Sequence, residues 1–320
     1  MNVSDLVDDL YEAFVDGLGD PLAAYARDLP RALGLAPRAN CPWSDVFSHD
    51  VTLGAPALLS ERMKLPPEVV RDAVLAHALA VIDAFGTDRV EDLQVPGSPE
   101  LLAVLGRARR QRDRAIRRIL GGPPPPDCDF AHADALTTKA LRKEREVLLA
   151  SVPVDLDTYE RQSLEKQSAG IVASVALARV AGWDQRLRRA VRATLESVAL
   201  GLQAYDDVVD WEDDLSRGGS WTVCLMKGRR AAETADRQTE GARLRAQVLR
   251  SGVLLGLLDR AVHHMSAARR RASALGAESL AAWAASRRER FETLRNAESA
   301  SAGYAVRAHA LSAWAGEVLA

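Results

Sequence analysis

Apolar residues recur every three to four positions along most of this chain, which is the spacing of helices that bury one face. No segment alternates apolar and polar residues in the way of a half-buried strand, and no hairpin signal stands out. Alanine, leucine and arginine are abundant and favour helix. The pattern predicts helices at about 4–29, 67–93, 99–120, 130–150, 156–181, 184–216, 229–248, 252–275 and 278–318. The sequence therefore predicts an all-α protein.

Glycine and proline mark the clearest breaks in this pattern, at 96–97, 121–126 and 218–219. The run of four prolines within 121–126 has two interpretations, an interdomain linker or a loop inside one domain. We favour the loop, because acidic clusters of similar character lie on both sides of it. Residues 36–66 are irregular, with room for a short helix. The expected organisation is one domain over 1–320.

Within that single domain, we expect N-terminal helices in 1–66 and the main helical bundle in 67–320. A chain of 320 residues with 48% hydrophobic and 27% charged residues has the composition of a globular protein with a sizeable core. The net charge of −2 gives no indication of a nucleic-acid partner or of an anionic membrane surface.

The most informative segment is 201–214, which reads Gly-Leu-Gln-Ala-Tyr-Asp-Asp-Val-Val-Asp-Trp-Glu-Asp-Asp. Asp206 and Asp210 are four residues apart and share a helix face, while apolar residues occupy intervening positions. A half-buried row of carboxylates needs cations, and oxygen ligands of this kind suit Mg²⁺, with Mn²⁺ as a substitute. Since Mg²⁺ usually joins a few carboxylates to phosphate oxygens, the expected ligand is a phosphate ester. The alternative is an acidic face at the end of a surface helix.

Another acidic cluster lies upstream, where Asp88, Glu91 and Asp92 stand at i, i+3 and i+4 at the end of an apolar helix. In chain order this is the first acidic cluster, and the cluster within 201–214 is the second. Alone this signal is weak, because acidic residues often end helices. Together with Asp206 and Asp210, it predicts two facing walls of carboxylates that hold several Mg²⁺ ions bridging a diphosphate.

Lys166 lies between the two clusters, at the start of another apolar helix. Such a lysine can reach inward as a point-charge partner for phosphate. The alternative is a surface lysine at a helix boundary, with its stem on apolar surface. Arg161 and Lys227 are further candidates for contact with phosphate.

In this order the segments resemble the class I isoprenoid synthases, which include trans-prenyl diphosphate synthases, squalene/phytoene-type synthases and class I terpene cyclases. The closest correspondence is Gln203-x-x-Asp206-Asp207-x-x-Asp210. The resemblance covers about residues 70 to 230. It implies a single-domain all-α bundle with a central active-site cavity, and homodimerisation is common in that fold. It implies catalytic roles for Lys166, Asp206 and Asp207, metal binding by Asp88, Glu91, Asp92, Asp206, Asp207 and Asp210, and substrate contacts from Lys166, Gln203, Arg161, Lys227, Phe85 and Tyr205.

Two departures from that family narrow the expected chemistry. Thr87 stands where the first Asp of the upstream motif is usual, so the metal ligands there are either Asp88 with Glu91 or Asp88 with Asp92. The basic segments that hold isopentenyl diphosphate in chain-elongating enzymes are absent, and Leu-Gln-Val-Pro occupies 93–96 where Arg-Arg-Gly is usual. These differences favour chemistry on a single prenyl diphosphate.

The sequence therefore predicts a terpene synthase that ionises an allylic prenyl diphosphate, cyclises the carbocation and releases pyrophosphate. The alternatives are a prenyltransferase that moves the same cation to a second prenyl unit or another acceptor, and a non-catalytic homologue that serves as a partner subunit. Aromatic residues, which stabilise cations through their faces, make up only 5% of the chain. Phe85, Tyr205, Trp211 and Trp221 are the candidates near the motifs, and core packing is their alternative role.

The remaining clusters indicate little chemistry. The arginine-rich stretch 107–118 is interpreted as a solvated face, and the pair His263-His264 as structural. The three cysteines are widely spaced, without metal-ligand spacing, as in a reducing compartment. The N-terminus lacks the features of a signal peptide, and no apolar run is long enough to cross a bilayer. The expected location is the cytoplasm.

Overall fold

The computed structural model describes residues 2–47, 51–226 and 237–318. Within these residues every regular element is helical and no strand is present. The α-helices are α1 (Val3–Asp16), α2 (Leu22–Arg27), α3 (Leu29–Ala32), α4 (Trp43–Val46), α5 (Val51–Leu59), α6 (Pro67–Glu91), α7 (Pro99–Leu120), α8 (Phe130–Leu149), α9 (Leu156–Lys166), α10 (Ala169–Val180), α11 (Gln185–Val209), α12 (Trp211–Arg217), α13 (Trp221–Cys224), α14 (Arg237–Ser251), α15 (Val253–Leu275) and α16 (Glu278–Val318). The prediction of an all-α protein is confirmed.

Helix α7 shows how local sequence determines where a helix begins and ends. The Ser98 hydroxyl accepts a hydrogen bond from the Leu101 N–H at 3.1 Å, which caps the first turn. Pro99 follows at the first helical position, where no intrahelical N–H is needed. Gly121 closes the helix in the left-handed conformation, with φ of 67°. Its ends, Pro99 and Leu120, coincide with the predicted ones.

The chain divides into two compact units. Unit 1 comprises residues 1–143, 164–196 and 268–283, and unit 2 comprises residues 144–163, 197–267 and 284–320. The expectation of a single domain over 1–320 stays a prediction.

Unit 1 is built around α6, which packs against α1, α5, α7 and α10. Four alanines lie on the buried surface of each of two of these helices. On α6 these are Ala73, Ala76, Ala78 and Ala80, and on α10 they are Ala169, Ala173, Ala176 and Ala178. Gly86 extends this pattern, because a Cβ there would lie 2.8 Å from the Leu105 side chain on α7. The helices therefore approach closely, with little space for larger side chains.

In unit 2 a small apolar cluster gathers around Trp211 at the start of α12, with Val223, Met226, Val248 and Leu254. The turn between α12 and α13 depends on Gly219, whose φ of 154° is unfavourable for residues with a side chain. A Cβ at this position would lie 2.3 Å from the carbonyl oxygen of Leu148. The chain can thus pass Leu148 and enter α13 only with glycine here.

Three of the predicted helices are divided in the structure. The predicted helix 4–29 becomes α1 and α2, the helix 156–181 becomes α9 and α10, and the helix 184–216 becomes α11 and α12. Part of the predicted helix 229–248 lies outside the described residues, and α14 begins at Arg237.

The break between α9 and α10 lies at Ser168. Its hydroxyl donates to the backbone carbonyl oxygens of Glu165 at 2.7 Å and Ala133 at 3.2 Å. A side chain that hydrogen-bonds the backbone in this way competes with the helical pattern.

Among the helices of the described residues, none is both long and apolar enough to span a bilayer.

Candidate functional site

The first acidic cluster lies at the C-terminal end of α6 in unit 1. Asp88 is half-buried, whereas Glu91 and Asp92 are exposed. The Lys166 Nζ, at the end of α9, lies 3.3 Å from Asp88 Oδ1, with 23% and 22% of the two side chains exposed. The structure thus brings together a carboxylate and a cation that are 78 positions apart in the sequence numbering. The Lys166 ammonium is thus paired with Asp88, and its contact with phosphate stays a prediction.

Thr87 makes a contact that its place in the motif did not predict. Its hydroxyl oxygen accepts a hydrogen bond from Arg109 Nη2 on α7 at 3.0 Å. The same arginine is fixed by Asp83, whose two oxygens lie 2.8 and 2.9 Å from Arg109 Nε. Burial raises the pKa of Asp83, while Arg109 and Arg112 act in the opposite direction. A guanidinium therefore stands next to the position where the related motif carries its first carboxylate.

The interpretation of the arginine-rich stretch 107–118 as a solvated face is wrong for Arg112. It is 1% exposed. Its guanidinium donates to Asp83 at 3.2 Å and to Asp134, and lies 4.5 Å from the centre of the Phe130 ring. A buried cation requires such partners, because an unpaired charge in the core is strongly destabilising. The interpretation was wrong here because the partners, Asp83 and Asp134, lie on other helices.

In the second acidic cluster, in unit 2, Asp207 is buried at 4% exposure. Its Oδ2 accepts a hydrogen bond from the Tyr159 hydroxyl at 2.5 Å, and its Oδ1 accepts one from Gln203 Nε2 at 3.0 Å. Burial raises the pKa of Asp207 to about 8, although both hydrogen bonds lower it. Burial and the Asp207 charge raise the pKa of Tyr159 well above its ordinary value. Both oxygens of this carboxylate are thus engaged within the protein.

Asp206 and Asp210 differ from Asp207 because both are exposed. Helix α11 ends at Val209, yet the Asp210 N–H donates to the Asp206 carbonyl oxygen at 2.9 Å and continues the helical hydrogen-bond pattern. Asp210 then stands at the N-cap position of α12. The motif therefore contains two exposed carboxylates four residues apart and one buried carboxylate.

Short helix α13 supports this arrangement through two side chains that sequence reasoning did not assign to it. The Thr222 hydroxyl donates to the backbone carbonyl oxygen of Asp207 at 2.7 Å. The Trp221 ring packs edge-on against Tyr159 with 5.5 Å between ring centres, and its Nε1 donates to Glu144 at 2.7 Å. None of these three contacts has a local sequence signal, since each joins residues distant in the chain.

The other sequence candidates take part in packing or lie at the surface. Phe85 packs against Phe47, with 5.1 Å between ring centres, and Tyr205 stacks on Phe291 at 4.4 Å. Trp211 and Trp221 are buried and pack within unit 2. Arg161 is exposed and donates to Thr158 at 3.3 Å. Lys227 lies outside the described residues.

Of the histidine pair, His264 is buried and His263 is exposed. The His264 Nε2 lies 3.0 Å from Glu160 Oε1, which also accepts a hydrogen bond from Arg260 Nε at 2.7 Å. Burial lowers the pKa of His264, against the effect of Glu160. These contacts join α15 to α9, so His264 has a structural role in unit 2.

Among the described residues of either unit, no three His, Cys, Asp or Glu side chains are grouped so as to hold a metal ion by themselves. Mg²⁺ usually takes one or two carboxylates and completes its octahedral shell with water and phosphate oxygens. The exposed pair Asp206 and Asp210 provides oxygen donors of this kind, as do Asp88 and Asp92. Within each unit, donors of this type fit a Mg²⁺ ion that binds together with a phosphate ligand.

Comparison of the sequence with models of protein families gave no match, and comparison with curated proteins gave none either. The fold is similar to the crystal structure of a polyprenyl synthetase from Streptomyces coelicolor A3(2), with a TM-score of 0.68. The two chains are 16% identical, and the similarity covers 88% of this chain and 97% of the other. The predicted isoprenoid synthase-type fold is thereby confirmed.

Proposed function

We infer that this protein is an enzyme that acts on prenyl diphosphates, and that it is a terpene synthase that ionises one allylic substrate and cyclises the resulting carbocation. The observation that carries the inference is the Lys166–Asp88 pair, 3.3 Å apart, in a fold similar to that of a polyprenyl synthetase. The half-buried ammonium can bind phosphate oxygens, and the half-buried carboxylate can bind a metal ion. A metal-bound diphosphate requires both charges.

Lys166 binds the diphosphate and stabilises the negative charge that develops when the allylic C–O bond breaks. In the free protein its charge is balanced by Asp88. When Asp88 becomes a metal ligand, the ammonium is available to phosphate oxygens. A preorganised cation of this kind acts most strongly where charge develops in the transition state.

The proposed metal ligands are exposed or half-buried carboxylates: Asp88, Glu91 and Asp92 of the first cluster, and Asp206 and Asp210 of the second. Mg²⁺ bound to such residues would polarise the diphosphate and stabilise the leaving pyrophosphate. Cyclisation would require apolar side chains that exclude water, so that the carbocation is trapped by its own alkenes rather than by solvent.

A prenyltransferase is the second candidate function, and the fold similarity to a polyprenyl synthetase favours it. The basic segments that hold isopentenyl diphosphate in chain-elongating enzymes, Arg-Arg-Gly and Gly-Gly-Lys-Arg-x-Arg-Pro, are absent from this sequence. Their absence favours the terpene synthase. The two functions differ in one observable property, which is whether a product forms without a second substrate.

The test is incubation of the full-length protein with Mg²⁺ and single C10, C15, C20 or C25 prenyl diphosphates, with extracts analysed by gas chromatography–mass spectrometry. A cyclic hydrocarbon or alcohol from one substrate supports the terpene synthase. Product only after addition of isopentenyl diphosphate or another acceptor supports the transferase. No product under either condition would favour the third reading, a non-catalytic partner subunit.

Variants identify the residues responsible. Asp206→Asn and Lys166→Ala are expected to lower pyrophosphate release by at least about a hundredfold, the magnitude of losing a group that stabilises transition-state charge. Asp213→Asn is the matched control, since Asp213 is an exposed carboxylate of the same acidic run whose partner is Arg217 at 3.8 Å. Equal activity of Asp206→Asn and Asp213→Asn would refute the metal assignment.

A further inference from the structure

We propose that Asp207 is a positioning residue rather than a metal ligand, and that its hydrogen bond with Tyr159 orients Asp206 and Asp210 for metal binding. We call the Tyr159–Asp207–Gln203 contact set the anchor. This inference rests on the proposed function in so far as Asp206 and Asp210 bind the metal. All residues of the anchor lie in unit 2.

The first argument is the occupancy of the Asp207 carboxylate. Its two oxygens receive hydrogen bonds from Tyr159 at 2.5 Å and from Gln203 at 3.0 Å, and the side chain is 4% exposed. A hydrated metal ion could reach Asp207 only if its side chain left this buried position, which would break at least one of these bonds and leave a buried hydroxyl or amide without a partner. Such a loss is destabilising, because the buried group then has no hydrogen-bond partner. Asp206 and Asp210 are exposed, so neither has to leave a buried position.

The second argument is the orientation of the helix. Consecutive residues of an α-helix are separated by about 100° around its axis. With Asp207 directed into the interior by Tyr159, Asp206 and Asp210 are both directed to one side of it, about 40° apart from each other. Rotation of this turn would move all three carboxylates together. The Tyr159 hydrogen bond therefore determines where the two exposed carboxylates point.

The third argument is that the backbone of Asp207 is also held. Carbonyl groups in the last turn of a helix lack intrahelical partners. The Asp207 carbonyl oxygen obtains one from the Thr222 hydroxyl at 2.7 Å. Trp221, the residue before Thr222, packs against the Tyr159 ring. Side chain and backbone of Asp207 are thus fixed by neighbouring residues of α9 and α13, as expected for a structural support of an adjacent ligand.

The test compares Tyr159→Phe with Asp207→Asn, and uses Asp206→Asn as the ligand control. The measurement is Mn²⁺ binding to the full chain in the presence of inorganic pyrophosphate, followed by electron paramagnetic resonance. Asp207→Asn keeps a side-chain oxygen that accepts the Tyr159 hydrogen bond. The amide is nevertheless a much poorer metal ligand than the carboxylate. Phe at position 159 removes the hydroxyl and leaves the carboxylate intact.

If Asp207 is a positioning residue, Tyr159→Phe weakens Mn²⁺ binding by about tenfold, as loss of a supporting group around a metal site typically does. Asp207→Asn then stays within about threefold of the wild type, because the hydrogen bond that matters survives. If Asp207 is a metal ligand, the order is reversed. Asp207→Asn would resemble Asp206→Asn, and Tyr159→Phe would leave Mn²⁺ binding unchanged. That reversed order would overturn the inference.

A wild-type protein that binds no Mn²⁺ with pyrophosphate would count against the proposed function, and the anchor is then tested by thermal unfolding alone. Tyr159→Phe, Asp207→Ala and the double variant form a double-mutant cycle. The anchor predicts that the double variant loses less Tm than the sum of the two single variants. Additive losses would show that the two side chains do not support each other and would overturn the anchor.

Discussion

Substitution of Gly219 by alanine is expected to disrupt the turn that carries α13 to the second acidic cluster. The added Cβ would lie 2.3 Å from the Leu148 carbonyl oxygen, 2.6 Å from the carbonyl carbon and 2.8 Å from the Leu148 Cβ. Two of these three atoms belong to the backbone, which cannot rotate away as a long side chain can. The turn or the end of α8 must therefore move.

The magnitude follows from two contributions. Holding a residue with a side chain at φ of 154° costs about 1–3 kcal/mol of backbone strain. Relief of the overlap with Leu148 by displacement of packed backbone costs about a further 1–3 kcal/mol. The free energy of unfolding should thus fall by about 2–6 kcal/mol, which lowers Tm by at least about 3 °C in a chain of this size.

Differential scanning fluorimetry of Gly219→Ala measures this shift, and Gly256→Ala in the same unit is the matched control. Gly256 lies in α15 with no heavy atom within 4 Å of an added Cβ. Alanine there is expected to stabilise the helix by about 0.5–1 kcal/mol. Since α13 carries Thr222, Gly219→Ala should also lower pyrophosphate release. Equal Tm values for Gly219→Ala and the wild type would refute the reasoning.

Two further predictions concern buried ionisable groups. Burial lowers the pKa of His77 to about 4, below its ordinary 6.5, although its Nε2 contacts the Thr52 carbonyl oxygen at 3.0 Å. Between these pH values the unfolded chain binds a proton at His77 that the folded protein does not. His77 therefore does not reduce the free energy of unfolding above pH 6.5, and it reduces it by up to about 3 kcal/mol as the pH drops towards 4. Urea titrations should show a smaller pH-dependence for His77→Gln, and identical slopes would contradict this account. Burial also raises the pKa of Cys128 to about 12, and Cys41 and Cys224 are buried too. Ellman's reagent at pH 8 should therefore react with the thiols only after unfolding in urea, and rapid labelling of the native protein would contradict it.

The fold could be predicted to a large extent because helical periodicity is a local property of the sequence. Helix α7 has its predicted ends, which lie close to the breaks at 96–97 and 121–126, and the structure shows local start and stop signals there at Ser98, Pro99 and Gly121. The division between α9 and α10 was missed, since its cause is partly distant. Ser168 bonds Ala133, which is 35 residues away. No single-segment pattern contains that information.

The candidate site could be predicted in its residue types but not in its pairings. Asp88 and Lys166 were recognised from the acidic clusters and the order of motifs, and their side chains are together in unit 1. The three aspartates of the second motif, by contrast, look equivalent in the sequence. What separates Asp207 from its neighbours is a hydrogen bond with Tyr159, 48 residues away. Burial and partner choice arise from tertiary packing, which the spacing of carboxylates does not encode.

The buried alanines of α6 and α10 have a consequence for the thermodynamics of folding. An alanine side chain has no rotamers to lose on burial, whereas a buried leucine or methionine loses about 0.5–2 kcal/mol of conformational entropy. The four buried alanines on each helix therefore order this part of unit 1 with almost no side-chain entropy loss. A larger side chain at these positions would lose rotamer entropy on burial and would also have to fit into a closely packed interior.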